Sequence, residues 1–228
     1  HHGYGFKTNH VLTASDVDLN LVSDYALLVN LTTNEVIYEK NAYQRTYPAS
    51  LTKMMTVLVG IEHRLDGPIT IDIDYNTLAE EGAAIAGFVN GESVSYDDLL
   101  YGTMLPSGAD AALMIAKVVA GSEEGFVALM NEKAQELGMK DTSFKNCHGL
   151  DEDGHLTSAH DIALMSKELL TKHPDITKYT TIWMDSLRDG KSQLVNTNKL
   201  IRNYKGITGL KTGSTSLALY NLLSLIHI

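Results

Sequence analysis

Ser50 and Lys53 stand three positions apart in the segment Ser50-Leu51-Thr52-Lys53. A serine hydroxyl is a weak nucleophile at neutral pH unless a base lies within hydrogen-bond reach. Residues i and i+3 of a helix are neighbours, so an amine at Lys53 can take the Ser50 proton. A serine in the first turn also lies beside free N–H groups that stabilise developing negative charge. The pair is compatible with acyl-transfer chemistry, but alone it favours the ordinary interpretation, an N-cap serine followed by a solvated lysine.

Ser107 belongs to a second motif, Ser107-Gly108-Ala109, directly after Pro106. With Asp110 three residues on, Ser107 is typical of a capping box at a helix start. A capping loop can also hold a hydroxyl where it relays a proton. Alone, the motif favours the capping interpretation.

Lys211-Thr212-Gly213 forms a third motif on a strand-like segment. Such a strand suits a carboxylate-bearing ligand laid alongside it. The lysine supplies charge, the threonine supplies a hydrogen bond, and the glycine lets backbone approach. The ordinary alternative is a surface lysine before a turn.

The order of the three motifs is more informative than any one of them. An S-x-x-K motif, a second serine motif and a K-T-G motif, in this order, are the signature of penicillin-binding proteins and serine β-lactamases. Their joint occurrence by chance, each on a suitable element, is improbable. The set therefore predicts an acyl-enzyme site at Ser50.

The chain resembles the D-alanyl-D-alanine carboxypeptidases, which are low-molecular-mass penicillin-binding proteins. The resemblance covers roughly Tyr25 to Leu222 and includes the segments NEVIYEKNA, GESVSYDDLLYGTMLPSGADAA, NCHGLDEDGHLTSAHDIALMSKELL and YKGITGLKTGST. It implies an α/β (α+β) fold of the serine β-lactamase/DD-peptidase type. In this fold an antiparallel sheet is flanked by helices and carries a mainly helical subdomain.

The resemblance also implies roles for the motif residues. Ser50 attacks the carbonyl between two terminal D-alanines of a peptidoglycan stem peptide, and Lys53, held neutral by burial and cationic neighbours, accepts the proton. Ser107 relays a proton to the leaving amine. The third motif binds the substrate carboxylate, and the backbone N–H groups of Ser50 and Ser214 form the oxyanion hole. The implied substrate-binding residues are Lys211, Thr212, Gly213 and Ser214. β-Lactams would inhibit by acylating the same serine, and no metal or organic cofactor is implied.

Local patterns predict the elements that position these residues. Residues 25–42 read as a β-hairpin, and apolar residues at helical spacing after Pro48 predict the nucleophile helix. Further helices are expected after Ser95 and Ser107 and over 123–138 and 158–173, and strands over 69–74 and near the C-terminus. We expect an N-terminal extension or first helix over 1–24, a catalytic domain over 25–222 and a helical subdomain over about 65–182.

Composition excludes several classes of function. The 228 residues carry 18 basic and 28 acidic side chains, for a net charge of −10, which argues against nucleic acid as a partner. The single cysteine, Cys147, excludes an internal disulfide framework. The first residues lack a signal-peptide pattern. An extracytoplasmic location, periplasmic or at the cell surface, is implied by the resemblance alone.

Two departures from the family pattern stand out. Ala109 occupies the place where the family commonly has asparagine, so we expect slower acylation or a substitute hydrogen-bond donor. The family continues beyond K-T-G with further strands and often a membrane-binding tail. Residues 223–228, LSLIHI, match the translation of a transposon-end sequencing adapter. We therefore expect an artefact there and a catalytic domain that lacks its last strands.

Three alternatives remain open. A class A-like β-lactamase would need a deacylating glutamate between the second and third motifs, and no convincing E-x-x-L-N occurs there. A protein of the same fold that binds muropeptides or β-lactams without turnover is compatible with Ala109. A metal loop at His148, His155 and His160 is conceivable, but their spacing matches no metallopeptidase helix, and structural histidines are expected.

Overall fold

The computed structural model describes residues 5–9, 11–13, 16, 25–30, 34–104, 108–173, 192–196 and 222–226. Its strands are β1 (Leu12–Thr13), β2 (Tyr25–Asn30), β3 (Glu35–Lys40), β4 (Ile69–Thr70), β5 (Ser93–Val94), β6 (Ser192–Asn196) and β7 (Leu222–Ile226). Its helices are α1 (Thr52–Glu62), α2 (Tyr75–Glu80), α3 (Tyr96–Met104), α4 (Ala109–Ala120), α5 (Glu123–Glu136) and α6 (Ala159–Lys172), and a 3-10 turn spans Ala49–Leu51.

The described strands form a sheet in the order β1-β3-β2-β7-β6, and β4 pairs with β5 separately. β2 and β3 are the predicted hairpin, paired antiparallel from Ala26–Lys40 to Asn30–Glu35. β7 lies between β2 and β6 and is antiparallel to both. It includes four of the residues expected to derive from an adapter, and the origin of that segment stays a prediction.

Helix α1 lies at the centre of the fold. Every residue from Thr52 to Gly60 is buried, because α3, α4, α5 and α6 all pack around this helix. Its apolar residues Met54, Met55, Val57 and Leu58 fill the core. A helix that is surrounded in this way cannot shift without repacking its neighbours, so whatever it carries is held rigidly.

Side-chain caps start most of the predicted helices. Ser95 and Asp98 form the expected reciprocal box before α3, with bonds of 2.9 and 3.1 Å. Ser122 caps α5, and Ser158 caps α6. The expected start of α4 at Ser107 is wrong by one residue, since Gly108 is the N-cap.

The predicted strand over 69–74 is wrong beyond its first two residues. Asp74 accepts hydrogen bonds from the N–H and hydroxyl of Thr77 and so begins α2, which the periodicity did not predict. The Asn90 side chain binds both the N–H and the carbonyl of Ile73 and takes the place of a strand partner. Within the described residues, no helix combines the length and apolar character that crossing a bilayer requires.

Candidate active site

Ser50 lies in a strained turn at the entrance to α1. Leu51 N–H donates to the Pro48 carbonyl at 3.1 Å and closes this turn. Ala49 has φ of +49°, a left-handed conformation that is unfavourable for any residue with a Cβ. Such backbone strain persists only where the surroundings enforce it, and it concentrates at functional sites. The Ser50 side chain lies outside the described part of the structure.

Lys53 is buried one helical turn further on, with 6% of its surface exposed. Its Nζ donates a hydrogen bond of 2.6 Å to the main-chain carbonyl of His148. Burial lowers the pKa of Lys53 to about 8, and the nearby Cys147 thiol opposes this shift. An amine with this pKa is partly neutral at physiological pH and can accept a proton. Burial is thus the cause of the low pKa, and no cationic neighbour among the described residues contributes to it.

Two threonines on α1 bind the same loop as Lys53. Thr56 Oγ1 donates to the Cys147 carbonyl at 2.6 Å. Thr52 Oγ1 lies 2.8 Å from His155 Nε2. The backbone N–H of Lys145 donates to the other ring nitrogen of His155, so Nε2 carries the proton and donates to Thr52. Three side chains on two successive turns, those of Thr52, Lys53 and Thr56, therefore fasten the helix to the 145–155 loop.

The histidines of this loop are structural and neutral. Burial lowers the pKa of His148 to about 4, with Lys53 and His155 contributing in the same direction. Burial likewise lowers the pKa of His155 to about 4, against the opposing charges of Glu152 and Asp151. Over the described parts of the chain, no group of three His, Cys, Asp or Glu side chains is arranged to hold a metal.

Cys147 is not a candidate nucleophile. It is fully buried, and its Sγ lies 3.8 Å from Glu123 Oε2. Burial raises the pKa of the Cys147 thiol well above its ordinary value, and Glu123 adds to this effect. The thiol therefore stays protonated.

The second motif begins α4 beside the 84–88 loop. Gly108 N–H donates to the Gly102 carbonyl at 2.9 Å, and Ala109 N–H donates to the Ala84 carbonyl at 2.8 Å. A Cβ on Gly108 would lie 2.7 Å from both the Gly102 carbonyl oxygen and the Asp110 carboxylate, so only glycine fits there. The Ala109 side chain is buried and supplies no hydrogen-bonding group.

Asp110 joins the second motif to the 84–88 loop. Its carboxylate is fully buried and accepts the backbone N–H groups of Ala86, Gly87 and Phe88 at 2.7, 3.0 and 3.2 Å. The Tyr75 hydroxyl donates to it at 2.9 Å. The residue predicted to be half of a capping box is therefore an anchor between two loops.

The other predicted site residues lie outside the described residues. They are Ser107, Lys211, Thr212, Gly213 and Ser214. Their roles remain expectations from the resemblance.

Sequence reasoning missed the residues that support Lys53. Thr52, Lys53 and Thr56 interrupt an otherwise apolar helix, TKMMTVLVG, and such a polar stripe on a buried helix requires polar partners. These polar residues on a buried helix were the sequence signal that could have indicated the contacts around Lys53. Asn146 gave none, because three of its four hydrogen-bond partners are backbone groups of a loop.

Solved structures of DD-peptidases share this fold. Penicillin binding protein 5 from Haemophilus influenzae matches with a TM-score of 0.65 and 27% identity, over 91% of this chain and 65% of that one. A mutant of the Streptomyces K15 DD-transpeptidase matches with a TM-score of 0.64 and 25% identity, over 85% and 81%. The predicted fold class is confirmed.

The sequence identifies the family. Residues 10–226 match Peptidase S11, D-alanyl-D-alanine carboxypeptidase, and the chain belongs to this family. It is 46% identical to D-alanyl-D-alanine carboxypeptidase DacF from Bacillus subtilis over 86% of the chain and 52% of that protein. It is 34% identical to DacC from Escherichia coli over 96% and 56%. The chain thus spans about half the length of these curated relatives.

Proposed function

We propose that this chain contains the catalytic domain of a serine-type D-Ala-D-Ala carboxypeptidase. The observation that carries the proposal is a buried Lys53, with a pKa of about 8, three residues after Ser50 in a chain of this family. The names of the relatives supply the reaction and the substrate class.

Each group has one role in the proposed reaction. Neutral Lys53 takes the Ser50 proton as Oγ attacks the penultimate D-alanine carbonyl. Ser107 passes a proton to the amine of the departing D-alanine, and Lys211 and Thr212 bind the terminal carboxylate. The backbone N–H groups of Ser50 and Ser214 form the oxyanion hole, and water then hydrolyses the ester. A β-lactam would acylate the same Ser50.

The substrate sets the proposed location. Peptidoglycan stem peptides lie outside the plasma membrane, so the protein would act in the periplasm or at the cell surface. Association of the full-length protein with the membrane through a C-terminal tail belongs to the same proposal.

The test measures D-alanine release from diacetyl-Lys-D-Ala-D-Ala together with labelling by a fluorescent penicillin. It uses the 228-residue chain and a version extended by the part of the Bacillus subtilis relative that follows the matched region. We expect release and labelling that both disappear in Ser50→Ala and fall sharply in Lys53→Ala. Labelling that survives in Ser50→Ala would contradict the assignment of the nucleophile, and rapid penicillin turnover would favour a β-lactamase.

One observation favours a second candidate, a protein that binds muropeptides or β-lactams without turnover. Ala109 provides no amide where the family commonly has one, and it is buried beside the second motif. A stable penicillin adduct on Ser50 without D-alanine release from either version would support this candidate.

A further inference from the structure

Asn146 builds the turn that faces Lys53. Its side chain is buried, with 3% exposed. Oδ1 accepts the backbone N–H groups of His148 and Gly149 at 3.3 and 2.8 Å. Nδ2 donates to the Leu150 carbonyl at 2.9 Å and to Glu152 Oε2 at 3.1 Å. One amide therefore satisfies both ends of a tight turn with all of its hydrogen-bonding groups.

The residue in the middle of this turn is the one that binds the lysine. His148 is held through its N–H by Asn146, and its carbonyl accepts from Lys53 Nζ at 2.6 Å. Thr56 holds the preceding carbonyl, that of Cys147. The direction in which the His148 carbonyl points is thus fixed on one side by α1 and on the other by the Asn146 amide.

We propose that Asn146 is a positioning residue for Lys53, because its amide orients the His148 carbonyl that holds Nζ in place. The inference rests on the proposed function, in which Lys53 activates Ser50. The hydrogen bonds of Asn146 go to His148, Gly149, Leu150 and Glu152 and not to Lys53, so it acts on the lysine through the turn. Its loss leaves Nζ buried without a fixed acceptor.

Several charged or titratable groups surround this arrangement. Cys147 and His148 face Lys53 from the loop, Glu152 binds Asn146, and Glu123 reaches Cys147 from α5. A hydrogen bond to a carbonyl favours the charged amine. Removing that acceptor therefore lowers the pKa of Lys53, while adding a negative charge at position 146 raises it.

Asn131 on α5 offers a matched control. Its Nδ2 donates to the Phe144 carbonyl at 2.9 Å, and its Oδ1 accepts the Phe144 N–H at 2.8 Å. This amide binds the backbone of Phe144, two residues before Asn146, so it makes the same kind of contact with backbone groups. Its bonds do not include the carbonyl that binds Lys53.

The experiment measures the acylation rate constant with a fluorescent penicillin between pH 6 and 10, with the melting temperature of each variant. It compares the unmodified chain with Asn146→Ala, Asn146→Asp and Asn131→Ala. We expect Asn146→Ala to lower the acylation rate constant reached at high pH (the plateau) at least about tenfold. The pH at which the rate constant is half of this plateau (the midpoint) should fall by about half a unit. Aspartate keeps the acceptor oxygen, so Asn146→Asp should stay within about threefold of the unmodified plateau, with a higher midpoint. Asn131→Ala should keep both values even if it melts earlier.

Two outcomes would overturn the inference. If Asn146→Ala and Asn131→Ala show equal plateaus and midpoints, Asn146 is merely structural. If Asn146→Ala fails to fold, Asn146→Asp decides, since an unmoved midpoint in that variant contradicts coupling to Lys53. Absence of labelling in both the unmodified chain and the extended version would instead contradict the proposed function itself.

Discussion

Lys53 Nζ binds the main-chain carbonyl of His148 at 2.6 Å, which joins α1 to a residue 95 positions away in the chain. The lysine is buried on a helix that is itself surrounded by four others. Its acceptor is a carbonyl, which lacks a full charge to neutralise an ammonium group. Burial therefore lowers the pKa of Lys53 to about 8, and the carbonyl does not supply the negative charge that would offset this effect.

The rate of acylation should follow the protonation of Lys53. Only the neutral amine accepts a proton, so the rate constant should rise about tenfold per pH unit below pH 8 and level off above it. Rates with a fluorescent penicillin from pH 6 to 10 measure this. Lys53→Ala should lose at least about 100-fold. Lys117→Ala, which removes a solvent-exposed ion pair with Asp72, should match the unmodified chain. A rate independent of pH would contradict Lys53 as the base.

Asp110 should be important for stability. Asp110→Asn places an NH₂ group among the N–H groups of Ala86, Gly87 and Phe88, so at least one amide loses its acceptor. We expect a loss of about 2–4 kcal/mol in the free energy of unfolding, measured by urea titration.

Two further variants provide comparisons for the loss of unfolding free energy expected in Asp110→Asn. Tyr75→Phe removes the hydroxyl that the Asp110 carboxylate shares with the Phe88 carbonyl and should cost about 1 kcal/mol. Asp97→Asn weakens an exposed ion pair with Arg64 and should cost less than about 1 kcal/mol. Equal losses in Asp110→Asn and Asp97→Asn would show that the anchor between the loops contributes little.

Acid should destabilise the protein through His148 and His155. Their pKa values are about 4 when folded and near 6.5 when exposed, so the unfolded chain binds more protons between these values. The two histidines therefore do not reduce the free energy of unfolding above pH 6.5, and they reduce it progressively as the pH falls toward 4. His155→Gln should reduce the slope of unfolding free energy against pH by roughly 1 kcal/mol per unit in this window. An unchanged slope in His155→Gln would refute the assignment.

Ala109→Asn tests the departure in the second motif. An amide at this position would add a hydrogen bond toward Lys53 and the substrate, as the family resemblance implies. We expect acylation to be faster by about tenfold, which corresponds to roughly one additional hydrogen bond in the transition state. Ala109→Leu, of similar size without an amide, separates packing from hydrogen bonding. Equal rates in the two variants would show that the missing amide is not what limits the site.

Sequence patterns correctly predicted the helices and strands that depend on interactions within a few residues. The hairpin of β2 and β3, the helix after Pro48 and the Ser95–Asp98 cap all follow from periodicity and capping within a few residues. The strand over 69–74 failed because Asn90, distant in sequence, takes the place of a strand partner for Ile73.

The residues of the candidate site likewise differ in whether local sequence predicts them. Ser50 and Lys53 stand out in the sequence because the proposed chemistry fixes their spacing, and their roles stay a prediction. Asp110 was assigned to a cap because its real partners, the amides of residues 86–88, carry no sequence signal. Asn146 was missed for the same reason, since any residue type can supply the backbone groups that it binds.

The long-range bond between Lys53 and His148 has a consequence for how the protein folds. Contacts between residues far apart in sequence require large loops to close and form slowly. Lys53 therefore reaches its final environment only after the 145–155 loop has docked on α1. If Lys53 acts as proposed, penicillin reactivity should appear later in refolding than helical circular dichroism, and a chain with formed helices but an undocked loop would escape the drug.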